Sequence, residues 1–154
     1  MPDRFKTISS ADLLPLAKNI NGFFAKLHPR NRAALIFLSG ELGSGKTTFV
    51  KALARSFRVR ARVHSPTFVF VHEHPIKKIG AQFSKLIHVD AYRMDSRRDV
   101  SQTGLREYIK DPQNIVVIEW GEKIAPWIPK PDITIEFRHH TPTLREIKIK
   151  KRLS

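Results

Sequence analysis

The spacing of apolar residues predicts helices that alternate with short strands. Apolar side chains recur at helical intervals over residues 9–27, which predicts an amphipathic helix. Ser9 and Asp12 fit the capping-box pattern at its start. The apolar run at residues 33–38 is short and continuous, as expected of a strand that is buried on both faces. After a glycine-containing segment, residues 47–57 are predicted to form a second helix.

The second half of the chain predicts more strands than helices. Short apolar or β-rich segments predict strands at residues 62–65, 68–71, 86–89 and 114–118. Residues 98–110 are predicted to be helical, although Gly104 weakens that prediction, and the glycine and prolines of residues 74–84 and 126–131 indicate turns.

The last segments alternate apolar and polar residues. Residues 133–138 and 147–149 therefore predict an antiparallel hairpin with one face in water. Strands that alternate with helices indicate a parallel core, whereas the hairpin and the segment near residues 68–90 indicate antiparallel additions. We expect one α/β domain over residues 1–154, with helices on both faces of the sheet and a basic strand or tail from about residue 145.

Composition excludes several kinds of protein. The 154 residues are 41% hydrophobic and 27% charged, which is typical of a soluble globular chain. No apolar run approaches the length of a membrane span, and the first residues lack the features of a signal peptide. Because there is no cysteine, disulfide-linked partners and thiol chemistry are excluded. We therefore expect a cytoplasmic protein with no membrane association.

The net charge of +14 points to an anionic partner, although a solvated basic surface is an equally good interpretation. The positive charge is spread along the chain. One group is Arg55, Arg58, Arg60 and Arg62, and another is Arg145, Lys148, Lys150, Lys151 and Arg152.

One motif carries chemistry. Residues Gly40–Thr47 read Gly-Glu-Leu-Gly-Ser-Gly-Lys-Thr and match the P-loop pattern between a buried strand and a helix. Glycines allow such a loop to close around phosphate, with its N–H groups pointing inward as an anion nest. In this arrangement Lys46 can reach the β- and γ-phosphates, and the Thr47 hydroxyl can bind Mg²⁺. The motif predicts a binding site for Mg·ATP.

A P-loop needs an acidic partner at the end of a neighbouring strand. Two predicted strands end in a carboxylate, at Asp90 and Glu119, and sheet geometry places both in the crevice beside the P-loop. Either acid alone would be better explained as a helix cap or a surface residue. Thr67 could sense the γ-phosphate or bind Mg²⁺, but an ordinary Ser-Pro turn that ends in a strand-starting Thr explains it better. Trp120 is typical of core packing, and the histidines are typical of core or solvated residues rather than metal ligands.

Five segments in order resemble one known family. They are residues 40–48 (GELGSGKTT), 65–68 (SPTF), 88–93 (HVDAYR), 104–108 (GLREY) and 117–122 (VIEWGE). From about residue 8 to 138 the chain resembles the TsaE family, also called YjeE, the bacterial ATPase subunit of tRNA threonylcarbamoyladenosine biosynthesis. The resemblance implies a P-loop NTPase fold that hydrolyses Mg·ATP. It also implies binding to a TsaB–TsaD heterodimer, in which TsaD modifies adenosine 37 of tRNAs reading ANN codons, so that tRNA is met through the complex.

The resemblance also implies roles for individual residues. Lys46, Thr67, Asp90 and Glu119 would be catalytic, and Thr47 and Glu119 would hold Mg²⁺. The nucleotide would contact Glu41, Leu42, Gly43, Ser44, Gly45, Lys46, Thr47, Thr48 and Trp120. The family often has Leu where Ala91 stands and Pro where Gly121 stands, and neither difference removes a phosphate or metal ligand.

Two other functions stay open from the sequence. A small phosphotransferase would need an arginine-bearing lid, for which Arg97 and Arg98 are candidates. A nucleotide-regulated RNA-binding protein would account for the basic excess, although stacking and helix-turn-helix motifs are missing. An ATPase of this kind also needs an arginine finger for fast hydrolysis. Arg93 is the nearest candidate in the sequence, and a partner is the other possible source. We therefore expect the chain alone to hydrolyse ATP slowly.

Overall fold

A single mixed sheet forms the centre of the molecule in the computed structural model, which describes residues 6–27, 30–59, 62–63, 70–77 and 81–152. Its strands are β1 (Lys6–Ser9), β2 (Ala34–Gly40), β3 (Val71–Pro75), β4 (Lys85–Asp90), β5 (Asn114–Glu119), β6 (Ile133–His139) and β7 (Leu144–Lys151). The helices are α1 (Leu13–Ala25), α2 (Lys46–Ser56), α3 (Arg97–Gln102), α4 (Leu105–Lys110) and α5 (Gly121–Ile124). No helix among the described residues combines the length and apolarity needed to cross a membrane.

The sheet has a parallel centre and antiparallel edges. Its strand order is β1-β7-β6-β2-β5-β4-β3. Strand β2 pairs in parallel with β5 and β6, and β4 pairs in parallel with β5. The pairs β3–β4, β6–β7 and β1–β7 are antiparallel. The predicted parallel core with antiparallel additions is therefore confirmed.

Helices cover both faces of the sheet. Along β2, Ile36 and Leu38 belong to a core that also contains the buried side chains of α1 and α2. Leu35 and Phe37 point the other way, into a core shared with α3, α4 and α5. The central strands are apolar without interruption because both of their faces are buried. The predicted placement of helices on both faces is confirmed.

The first predicted helix begins later than its pattern indicates. Residues 6–9 form β1, and the α-helix starts at Leu13 after a single 3₁₀ turn. The expected cap is present on that turn, where the Ser9 N–H donates to the Asp12 carboxylate at 2.7 Å. Strand β1 could not be foreseen because its partner is β7, at the other end of the chain.

Three other boundaries differ from the prediction. The helix predicted over residues 98–110 is two helices, α3 and α4, separated at Gly104 with φ of 72°. The strand predicted at 62–65 is wrong for Arg62 and Val63, which lie in no strand, and residues 64–65 fall outside the described part. Of the strand predicted at 68–71, residues 68–69 fall outside the described part and Val71 begins β3, which continues into the predicted turn region as far as Pro75. A proline is tolerated there because β3 is an edge strand.

Candidate functional site

The P-loop connects β2 to α2, as predicted, and its shape requires glycine. Gly40, Gly43 and Gly45 all have positive φ. A Cβ on Gly40 would lie 2.3 Å from the carbonyl oxygen of Phe137, and one on Gly45 would lie 2.5 Å from Nε of Arg145. The backbone of β6 therefore leaves no room for a side chain at Gly40, whereas at Gly45 the neighbour is the Arg145 side chain and the positive φ is what favours glycine.

The end of this loop is also the start of α2, at Lys46. The first N–H groups of a helix have no partner within the helix, and they carry its positive dipole end. The Ser44 side chain is buried, and its hydroxyl has no hydrogen-bond partner among the described residues. Together these groups form a site that favours an anion such as phosphate.

Lys46 lies at the mouth of the loop. Its ammonium donates to the carbonyl oxygens of Gly40 at 2.7 Å and Glu41 at 2.8 Å, and it stands 4.3 Å from the centre of the Trp120 ring. The residue is only 4% exposed. This burial lowers the pKa of Lys46 from its ordinary value, and the nearby negative charges, chiefly that of Glu119, partly oppose the shift.

The two predicted acids stand side by side at the carboxyl ends of their strands. Asp90 of β4 is opposite Glu119 of β5 in the sheet register, and Glu119 is opposite Leu38 of β2, near the start of the P-loop. The Thr47 hydroxyl donates to Oε1 of Glu119 at 2.8 Å. The structure therefore brings Lys46, Thr47, Glu119 and Asp90 to one edge of the sheet, as sheet geometry predicts.

An open cleft of about 450 Å³ contains most of the predicted residues. Its lining comprises Leu42, Gly43, Gly45, Lys46, Thr47, Thr48, Asp90, Tyr92, Arg93, Glu119 and Trp120. Glu41 and Ser44, which were predicted to contact the nucleotide, do not line the cleft. Glu41 lies on the outer side of the P-loop, and the Ser44 side chain is buried beneath the loop. Thr67 falls outside the described residues.

Comparison with known proteins decides the family. Residues 10–147 match the sequence profile of the threonylcarbamoyl adenosine biosynthesis protein TsaE. The chain belongs to the TsaE family. This match covers all of the elements that form the cleft.

Individual members of the TsaE family agree with that assignment. The chain is 30% identical over 141 residues to the Haemophilus influenzae tRNA threonylcarbamoyladenosine biosynthesis protein TsaE, covering 91% of this chain and 80% of that one. It is 38% identical over 117 residues to the protein of the same name from Aquifex aeolicus, covering 75% of each chain. The crystal structure of Bacillus subtilis YdiB superposes with a TM-score of 0.68 at 24% identity, covering 97% of this chain and 88% of that one. This last likeness supports the P-loop NTPase fold alone.

His88 was not predicted to be a site residue. This residue of β4 is fully buried, and its Nε2 lies 2.8 Å from Oε1 of Glu119, the same oxygen that accepts from Thr47. A carboxylate only accepts hydrogen bonds, so Nε2 of His88 is the donor. The sequence feature that could have identified His88 is its position two residues before Asp90. This spacing places both side chains on one face of an otherwise apolar strand.

Two aromatic residues, Trp120 and Tyr92, line the cleft. Trp120 has a left-handed backbone, with φ of 60°, and its ring centre lies 5.1 Å from that of Tyr92. Arg93 also lines the cleft, with its guanidinium 5.1 Å from the centre of the Phe70 ring. Trp120 is therefore at the cleft rather than in the core, and the sequence pattern alone had favoured the core.

The oxygen atoms of the cleft fit Mg²⁺. Thr47 and Glu119 offer a hydroxyl and a carboxylate within hydrogen-bonding distance of each other, and Asp90 lies beside them. Magnesium prefers oxygen ligands and usually completes its shell with water and phosphate oxygens. The anion site at the start of α2 is where those phosphates would lie, so the residues suit a magnesium–nucleotide complex.

Proposed function

We propose that the chain is an ATPase that hydrolyses Mg·ATP during formation of threonylcarbamoyladenosine at position 37 of tRNAs reading ANN codons. The observation that carries this proposal is the contact of 2.8 Å between Thr47 and Glu119 beside the phosphate-binding loop. Membership of the TsaE family supplies the pathway.

The phosphate tail is held by the loop and by Lys46. The free N–H groups at the start of α2 donate to the phosphates, and the Lys46 ammonium exchanges its carbonyl contacts for the β- and γ-phosphates. Trp120 and Tyr92 offer an aromatic wall for the base. These interactions position the nucleotide with its terminal phosphate toward the acids.

The acids serve the metal and the water. Thr47 and Glu119 would hold Mg²⁺, and the bound ion would supply positive charge against the charge that develops on the transferred phosphate. Asp90 orients the water that attacks the γ-phosphorus, or steadies the metal's water shell. Water adds to phosphorus, the bond to the β-phosphate oxygen breaks, and the products are ADP, inorganic phosphate and a proton. Thr67 is proposed to sense the γ-phosphate.

The partner is proposed to be a TsaB–TsaD heterodimer, through which the chain reaches tRNA. An arginine that stabilises the transition state is worth about 10³–10⁵ in rate. Arg93 lies in the cleft beside Phe70, and a partner residue is the alternative source. A small kinase is less well supported, because Arg97 and Arg98 lie in α3 rather than on the cleft that would need a lid.

Nucleotide titration tests the binding site directly. The parent is expected to bind ATP in a magnesium-dependent manner, Lys46→Met to lose binding, and Glu119→Gln to lose the magnesium dependence. Lys110→Met is a matched control, because Lys110 is exposed on α4 and lies away from the cleft. Equal binding by all four proteins would contradict the proposed site.

Hydrolysis tests the partner. Phosphate release is expected to be slow for the chain alone and at least tenfold faster with the TsaB–TsaD heterodimer. The heterodimer with Glu119→Gln serves as the control for background activity. Equal rates with and without the heterodimer would count against a partner-stimulated ATPase.

A further inference from the structure

The sheet separates a strongly basic layer from a nearly neutral one. Residues 13–63, which include α1 and α2, contain ten Lys and Arg and one Glu, a net charge of +9. Of these cations, Lys46 lies in the cleft, Arg30 and Arg32 pair with Asp132, and Arg60 falls outside the described residues. Residues 90–127, which include α3, α4 and α5, contain six Lys and Arg and seven Asp and Glu, a net charge of −1. Because α1 and α2 cover one face of the sheet and α3 to α5 the other, the charge excess is concentrated on one side.

Six cations of the basic layer face solvent. The side chains of Lys18, Lys26, Lys51, Arg55, Arg58 and Arg62 are all exposed. None of them takes part in an ion pair among the described residues. On α2 the exposed positions are Thr48, Lys51 and Arg55, whose helical spacing makes one stripe that starts at the rim of the cleft.

Arg58 continues this stripe at a position that would favour glycine. It follows the end of α2 with φ of 57°. The N–H of Val59 donates to the Ala54 carbonyl at 2.9 Å, and the N–H of Arg58 donates to the Arg55 carbonyl at 3.0 Å. This is the Schellman arrangement, in which the left-handed residue is usually glycine. An arginine at this site adds a cation to the layer at the expense of backbone strain.

The chemistry of the layer suits a polyanion better than a protein. Protein interfaces depend on buried aromatic or aliphatic anchors. Among the described residues, the exposed large hydrophobic side chains are Leu42 and Tyr92, and both belong to the cleft. The α1–α2 layer offers separated cations without such an anchor, which is the pattern that binds a phosphate backbone.

We propose that the α1–α2 layer binds the phosphate backbone of RNA, with the stripe Lys51, Arg55 and Arg58 leading to the rim of the cleft. Binding of this kind depends on charge and does not read sequence. The choice of tRNA as the RNA rests on the proposed function, whereas the charge distribution does not.

Salt-dependent binding of an unmodified tRNA transcript to the full chain tests this proposal. The parent is expected to bind, and its affinity should fall by about 10²–10³ between 50 and 200 mM salt if roughly four to six phosphates are contacted. The variant Lys51→Gln/Arg55→Gln/Arg58→Gly should bind at least tenfold more weakly. Its slope of log affinity against log salt should be shallower by about 2, since each lost contact removes roughly 0.7–0.9.

The control removes the same number of charges from the opposite layer. Arg97→Gln/Arg98→Gln/Lys110→Gln has the same net charge as the α2 variant, so it should bind tRNA nearly as well as the parent if the layer matters. Equal weakening by both variants would mean that only total charge counts and would overturn the proposal. Thermal melting of both variants establishes that they are folded, and Arg58→Gly alone should lose affinity without losing stability.

The remaining outcomes separate this proposal from the ATPase. A parent that binds Mg·ATP but shows no salt-sensitive RNA binding overturns the RNA surface and leaves the ATPase intact. A parent that binds tRNA through α2 but binds no nucleotide overturns the ATPase and leaves the RNA surface intact. If the α2 variant instead loses affinity for the TsaB–TsaD heterodimer without RNA, and the parent does not bind RNA, the layer docks on protein and the RNA proposal is wrong.

Discussion

Arg58 and Trp120 are the two non-glycine residues with positive φ in the described structure. Trp120 turns the chain immediately after Glu119, and its N–H donates to the Leu38 carbonyl at 2.8 Å, so the turn brings the indole ring to Lys46. Arg58 has no comparable role in packing. We therefore expect Arg58→Gly to raise the free energy of unfolding by about 0.5–1 kcal/mol, because glycine adopts this backbone without the steric cost. Thermal melting should show an increase of about 2 °C, and an unchanged or lower melting temperature would contradict the strain.

His88 is expected to act on magnesium through Glu119. Removing the donor in His88→Leu should raise the Mg²⁺ concentration needed for half-maximal ATP binding by about 10–100-fold, as is usual for residues that support a metal ligand. ATP binding without magnesium should change little. His88→Gln keeps an N–H donor and should recover part of the loss.

The matched control for His88 is His74→Leu. His74 of β3 is buried on the same face of the sheet as His88. It is opposite Leu86 in the sheet register, not opposite His88, which contacts Glu119. It should therefore leave the magnesium dependence unchanged. The same shift in both variants would indicate a general packing defect instead of an effect on Glu119.

The lowered pKa of Lys46 has a consequence for stability at alkaline pH. The unfolded chain keeps the ordinary pKa of 10.5, so between the lowered folded pKa and 10.5 the unfolded state binds more protons. The free energy of unfolding of the parent should therefore rise with pH in this window, relative to Lys46→Met. Denaturant melts at several pH values from 8 to 10.5 measure the difference between the two proteins. A difference that stays flat or falls would show that burial does not disfavour the charged lysine.

The packing of α5 on β2 depends on a missing side chain. A Cβ on Gly121 would lie 2.4 Å from the Phe37 ring. Gly121→Ala should therefore cost about 1–3 kcal/mol, as overpacking of a core usually does. Phe37→Ala removes the two nearest of the atoms that this Cβ would meet, so the double variant should be more stable than the sum of the single effects predicts. Denaturant unfolding of the four proteins measures this coupling, and simple additivity would contradict it.

Elements with strong local signals were predicted well, and those that depend on distant partners were not. Strands β2, β4 and β5 are mainly apolar segments, because they are buried on both faces, and their predicted bounds differ from the structure by at most two residues. Strand β1 has four residues and exposed or half-exposed side chains, so it lacks a pattern. It exists because β7 pairs with it from the far end of the chain.

At the scale of the whole molecule, three segments far apart in sequence form one site. The P-loop, the end of β4 and the end of β5 meet because parallel strands place their carboxyl ends on the same edge. Mg·ATP should therefore slow amide hydrogen exchange together in residues 40–48, 90–93 and 119–123, because a ligand that binds only the folded state suppresses opening of the segments that hold it. Lys46→Met, which is expected not to bind the nucleotide, is the control and should show no such slowing. Protection confined to the P-loop would contradict a shared site.

The sequence by itself determined which segments form the cleft. The spacing of glycines, Lys46 and Thr47 defines a phosphate-binding loop, and apolar strands that end in Asp90 and Glu119 indicate the acids, because these signals are local and periodic. Tertiary structure alone decided that His88 contacts Glu119, that Trp120 turns into the cleft, and that charges which look evenly spread along the chain lie mainly on one side of the sheet. Such features depend on which strands become neighbours and which face each helix covers, and those relations join residues too far apart for any local pattern to record.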